Sequence, residues 1–143
     1  MQEGNRRFVA DKLDGKLQDS GRRGKLTAVQ SPYAITLCGQ SYDAGIGTGI
    51  IVVLGHESCG AVTAAMSGGD SGYNLNHLQG HITPALHATK EDASLAEVVK
   101  KNAELTAQEL SNRSKIIGDA VSSGKVEIIP TYYNLGSGKV DFL

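Results

Sequence analysis

The chain has 143 residues, enough for one domain with a modest core, and 40% of them are hydrophobic. Fourteen basic residues stand against fifteen acidic ones, and the net charge of −1 carries no long single-sign block. That balance removes the electrostatic basis for nucleic-acid or membrane-surface binding.

Two cysteines, Cys38 and Cys59, are too few for a disulfide framework. The polar start MQEGNRRF has no secretion-signal character, and no apolar run nears the roughly 20 residues that span a bilayer. The expectation is a cytoplasmic protein whose thiols stay reduced and free to bind metal. Residues 1–143 are read as one domain.

Residues 2–14 read as a helix with Phe8, Val9 and Leu13 along one face. Residues 15–31 are polar and glycine-rich, a surface loop in which Arg22, Arg23 and Lys25 are solvated. Pro32 introduces YAITLC, a short apolar run ending at Gly39 and read as a buried strand. GQSYDAGIGTG follows as a loop, with four glycines in eleven residues. Its GIGTG lacks the lysine and the following helix of a phosphate-binding loop.

The run IIVVL, residues 50–54, is the clearest strand. Its consecutive branched residues predict burial on both faces, as in a parallel sheet covered by helices. Ala61, Val62, Ala64, Ala65 and Met66 suit a short packed helix ended by Gly68 and Gly69. Residues 74–88 read as helical, weakened by Gly80 and Pro84. Asp92 is a candidate cap for a longer helix with the stripe Leu95, Val98, Val99 and Leu105. Another helical piece spans about 114–122, Gly124 stops it, and VEII is a third strand. Pro130 inside VEIIPTYY predicts an edge position or a bulge, and Tyr132 and Tyr133 are read as core. LGSGKVDFL is a turn followed by a short edge strand. Alternating strands and helices predict an α/β fold, a parallel-rich central sheet flanked by helices.

The chemistry concentrates where IIVVLG ends in His56, with Cys59 three residues on. Ligands gather at the carboxyl ends of strands in open α/β sheets, and a helix N-terminus favours negative charge. Imidazole nitrogen and thiolate sulfur are natural Zn²⁺ ligands, but two do not hold a catalytic zinc; three with an open position is the usual count. Cys38, at the end of the other apolar strand, is the candidate third ligand. If the two strands are parallel neighbours, their ends lie about 5 Å apart. An incidental pairing of His56 with Cys59 is the competing reading. His77 and His81, four apart, share a helix face with a spacing that can bind metal, and are read here as a solvated face. His87 is read as surface.

GIIVVLGHESCGAVTAA resembles the second metal-binding motif of the β-class carbonic anhydrases. EGNRRFVADKL is similar to their N-terminal helix, LTAVQSPYAITL to their first strand, LQGHITPAL to their mid-chain helix, and SSGKVEIIPTYYNLGSGKVDFL to their final strands. The resemblance implies a shortened three-layer architecture of that family. It also implies zinc-dependent, reversible hydration of CO₂ to bicarbonate through zinc-bound hydroxide, with a small-molecule substrate and a homodimer or higher homo-oligomer. His56 and Cys59 match two of the family's three ligands.

The family's first cysteine opens a cysteine-serine-aspartate-serine-arginine motif whose aspartate and arginine orient the zinc-bound water. Here the chain reads LCGQSYDAGIG: Cys38 stands near that cysteine and no arginine follows. Asp43 aligns with a later segment and is read as a loop residue. The family's arginine-asparagine-alanine-glycine-asparagine stretch and the helix after it are also missing. No catalytic residue beyond the ligands is therefore assigned. A relative with structural zinc or none, or one acting on carbonyl sulfide or carbon disulfide, is the alternative. Loss of an interior strand and helix predicts exposed apolar surface on IIVVL, covered by another chain or leaving this one marginally stable.

Overall fold

A computed structural model describes residues 2–12, 49–70 and 72–143. Cys38, Asp43, the strand YAITLC and the loops around it lie outside the described residues, as does Leu13.

The first helix, α1 (Gln2–Val9), is shorter than residues 2–14, and Asp11 just past it takes a positive φ of 53°. Three strands follow among the described residues: β1 (Ile50–His56), β2 (Glu127–Tyr133) and β3 (Val140–Phe142). They lie in the order β1-β2-β3, with β1 and β2 parallel and β3 antiparallel to β2. Between β1 and β2 run α2 (Gly60–Ser67), α3 (Tyr73–His87), α4 (Leu95–Arg113) and α5 (Lys115–Ser122). This is the α/β architecture expected from the alternation of elements.

Helix α4 packs on the sheet. Val99, Ala103 and Ala107 recur every fourth residue on its buried side, and the two alanines let its backbone approach the strands closely. Val98 and Val99 join Val62 of α2, Ile82 and Ala85 of α3 and Tyr132 of β2 in one buried cluster. Each buried branched side chain there contributes about 1.5–3 kcal/mol of transfer free energy.

The cap of α4 is Ser94 rather than Asp92. Its hydroxyl accepts from the Glu97 backbone N–H, and the Glu97 carboxylate accepts from the Ser94 backbone N–H at 2.8 Å. The Ser-x-x-Glu spacing of this reciprocal cap stands in the sequence, where Asp92 is the more conspicuous acidic residue. Ser114 ends α4 and begins α5. The corner there needs Gly118, since a Cβ would lie 2.7 Å from the Ser111 carbonyl oxygen.

Helix α3 is continuous through Gly80 and Pro84 despite their breaking tendency. Its second half is anchored by Ile82 and Ala85, while Tyr73, Leu75 and Leu78 of the first half are exposed. Packing of one end therefore carries the whole helix.

Two expectations fail on the sheet. IIVVL is not buried on both faces: Ile50, Val52 and Leu54 are 45%, 41% and 54% exposed, while the alternate residues face α4. The described sheet has helix cover from α4 on one side of β1 only, which agrees with the apolar surface expected of a shortened sheet. Pro130 lies on β2, the middle strand of the described sheet, with no bulge in its pairing to Val53. The hydrogen bonds from Glu127 N–H to the Gly49 carbonyl and from Leu143 N–H to the Pro130 carbonyl explain why it is tolerated. Odd-numbered residues of β2 direct their backbone polar groups toward β1. Pro130 directs its missing N–H the other way, toward Leu143 just past the end of β3, so the pairing to β1 is intact and only the last bond of the β2–β3 ladder is missing.

Asn5 attaches α1 to this edge. Its side-chain amide donates to the Gly138 carbonyl at 2.7 Å and accepts from the Val140 N–H at 2.9 Å, as a neighbouring strand would.

Candidate metal centre

The parallel register pairs Gly55 with Tyr132 and His56 with Tyr133 at the carboxyl ends of β1 and β2. Gly55 sits against α4 so closely that a Cβ would meet Cγ1 of Val99 at 2.7 Å. That contact holds the end of β1 down on the helix. His56 ends the strand, Glu57 and Ser58 form a turn, and Cys59 is the N-cap of α2. Ser58 takes a left-handed φ of 57°, uncommon for a residue other than glycine, and it is the bend that separates the two candidate ligands.

Glu57 ties this turn down at three points. Its N–H donates to the Tyr133 carbonyl at 2.8 Å, its carboxylate accepts from the Gly136 N–H at 3.2 Å, and its own carbonyl lies 2.9 Å from Nδ1 of His56. A carbonyl only accepts, so Nδ1 is the donor of this bond, and in the neutral tautomer Nε2 is the nitrogen with the lone pair. Orientation of an imidazole through its second nitrogen is the usual support of a histidine metal ligand.

Cys59 is half-buried with a free thiol, packed beside Ala61 and Val62 against the core. It caps α2 by position only, since its side chain makes no capping hydrogen bond. Its sulfur is thus uncommitted at the positive end of a helix, an environment that suits an anionic ligand. The donor set fits zinc chemically: one imidazole nitrogen with a free lone pair and one thiol, both borderline-to-soft donors. Among the described residues no group of three or more His, Cys, Asp or Glu is placed to hold a metal. The third expected ligand, Cys38, lies outside the described residues, and His56 and Cys59 stand three residues apart on either side of the Glu57–Ser58 turn.

Tyr132 borders the same strand ends. Burial, then the charges of Glu57 and Asp141, push its hydroxyl above the usual tyrosine range, and Lys100 sits 5.0 Å over its ring. It therefore stays neutral near pH 7. His77, His81 and His87 all lie exposed on α3. No helix among the described residues is long and apolar enough to cross a membrane.

Comparison with known proteins gives a consistent result. A carbonic anhydrase of Mycolicibacterium smegmatis is 29% identical over 184 residues, covering 99% of this chain and 89% of that protein. Carbonic anhydrase 2 of Mycobacterium tuberculosis is 26% identical over 181 residues, covering 97% and 87%. Both alignments are longer than this chain's 143 residues, so the relatives carry internal residues without a counterpart in it.

Among solved structures, a tetrameric β-carbonic anhydrase of the filamentous ascomycete Sordaria macrospora superimposes with a TM-score of 0.63 at 22% identity. The match covers 71% of this chain and 55% of that one, so the chain spans about half the length of that structure. The family profile described as carbonic anhydrase matches residues 44–140, which include β1, the His56–Cys59 turn and β2. With most of its length matched in this way, the chain belongs to the carbonic anhydrase family and has the α/β fold of the β-class.

Proposed function

We propose that this chain is a zinc-dependent carbonate dehydratase that hydrates CO₂ reversibly to bicarbonate. Cys38, His56 and Cys59 are its zinc ligands in this reading. The observation that carries it is the bond between His56 Nδ1 and the Glu57 carbonyl, which leaves Nε2 available on the same short turn as an uncommitted thiol. Zinc, when bound, supplies the Lewis acidity that makes water nucleophilic near neutral pH. The chain's own part is orientation. Glu57 holds the imidazole, Gly55 lets β1 seat on α4, and Cys59 as N-cap of α2 has a side chain uncommitted to capping.

A cytoplasmic setting accords with two cysteines that must stay reduced to bind metal. Homo-oligomeric assembly is supported by the tetrameric neighbour and by the exposed strip Ile50, Val52 and Leu54, which a second copy would cover.

Metal analysis and stopped-flow CO₂ hydration test the reading. One zinc per chain is expected, with zinc protecting Cys38 from alkylation and with hydration above the buffer rate that His56→Ala or Cys59→Ala abolishes. A zinc-loaded chain no faster than buffer, or a rate indifferent to Cys59→Ala, would overturn it. The internal residues missing relative to the mycobacterial enzymes favour a second reading, a family member whose zinc is structural or absent. Stoichiometric zinc without hydration, or no zinc at all, would select that one. Hydrolysis of carbonyl sulfide or carbon disulfide is a third and weaker reading, tested by offering those substrates to the same zinc-loaded chain.

A further inference from the structure

The geometry points to a second cation site on α3, remote in sequence from the strand-end turn, in which His77 and His81 together chelate one divalent transition-metal ion. The two imidazoles stand one helical turn apart on the same face, with ring centroids 5.0 Å apart and planes at 90°. Two imidazoles on one tetrahedral ion, each nitrogen about 2.0 Å from the metal, put their ring centroids about 5 Å apart. The pair already has that spacing, so turning the exposed rings, with the backbone in place, brings one nitrogen of each onto a shared ion.

The surroundings suit a hydrated cation. Both residues are exposed, and neither imidazole is engaged in a hydrogen bond or ion pair with another described residue. Gly80 lies between them, and a Cβ there would meet nothing within 4 Å, so the surface beside the rings is open. Helix α3 contains no lysine or arginine to repel the ion. With no carboxylate in the pair, hard cations such as Mg²⁺ and Ca²⁺ are disfavoured, and Ni²⁺, Cu²⁺ or Zn²⁺ with water in the remaining positions is the matching class. The histidine pair at i and i+4 is the same device that places two zinc ligands on one helix face in metalloproteases. Here it stands without their glutamate, so the site binds and carries no hydrolytic role.

Histidine ring NMR of the full chain during titration with Ni²⁺ tests this without reference to CO₂ hydration. The His77 and His81 ring signals are expected to broaden together, at a lower Ni²⁺ concentration than His87. In His81→Gln, the Ni²⁺ concentration that half-broadens His77 should rise by about tenfold or more, because the second ligand acts at high effective concentration. His77→Gln should do the same to His81. Both positions are exposed, and unchanged amide spectra will show that the variants fold. A rise below tenfold in either variant, or simultaneous broadening of His87, would overturn the chelate. Failure of the strand-end zinc reading leaves these outcomes untouched, since His56→Ala and Cys59→Ala are expected not to move the His77 and His81 signals' midpoint.

Discussion

Gly55 and Val99 are in contact so close that a single added carbon would stand 2.7 Å from the valine Cγ1 and 3.3 Å from its carbonyl oxygen. The end of β1, and with it His56, is positioned by the absence of a side chain. Gly55→Ala forces β1 and α4 apart and is expected to destabilise the chain by about 1–3 kcal/mol, the usual cost of overpacking. Chemical denaturation measures that loss, and zinc affinity should fall with it.

Ser58 holds the bend between the candidate ligands at a φ of 57°. The left-handed conformation costs a branched residue about 1–2 kcal/mol more than glycine. Ser58→Gly should therefore be more stable than Ser58→Val by about that amount, with the serine chain between them. Equal denaturation midpoints for the two variants would show that the bend is not constrained in this way.

The Glu97 carboxyl is held below its ordinary value of 4.5, first by the Ser94 hydroxyl and then by the Ser94 backbone N–H. A folded value lower than the unfolded one means stabilisation that is present above the ordinary carboxylate range. It is lost as pH falls through the lowered folded value. Glu97→Gln should flatten that part of the acid-unfolding curve by lowering stability near pH 7, where the carboxylate's contribution is fully present, toward the acid value. Separately, Ser94→Ala should cost about 1 kcal/mol at neutral pH through loss of the cap. Thermal melts between pH 3 and pH 7 follow both.

Leu54 is more than half exposed on the face of β1 away from α4. In a single chain, Leu54→Lys should therefore change stability by no more than about 0.5 kcal/mol. If a second copy covers the strip, the same change buries an unpaired charge at the interface and should shift sedimentation toward the monomer. An unaltered mass distribution would remove Ile50, Val52 and Leu54 from the assembly surface.

Much of the site was legible in the sequence because it is local. A branched apolar run, a glycine, His56 and Cys59 fall within ten residues, so strand, turn and helix start follow from the order of residue types. The cap at Ser94 is equally local and stands in plain spacing with Glu97, with the acidic Asp92 as a competing cap two residues before it. The two-sided burial expected of IIVVL was not legible, because branched residues favour a strand whether one face is covered or two. Pro130 gave the right warning and the wrong place. A proline excludes one hydrogen bond on one side of a strand, and only the register decides whether a partner was there to lose.

Residue order alone thus determined the α/β alternation and the placing of a histidine and a cysteine around one strand-end turn, since both arise from neighbours along the chain. Tertiary structure decided how those groups are held. Glu57 reaches across to Tyr133 and Gly136, Gly55 meets Val99 on a distant helix, and Ile50, Val52 and Leu54 on the other face of β1 are exposed. Contacts between residues tens of positions apart depend on how elements stack in space, which local pattern and spacing do not encode.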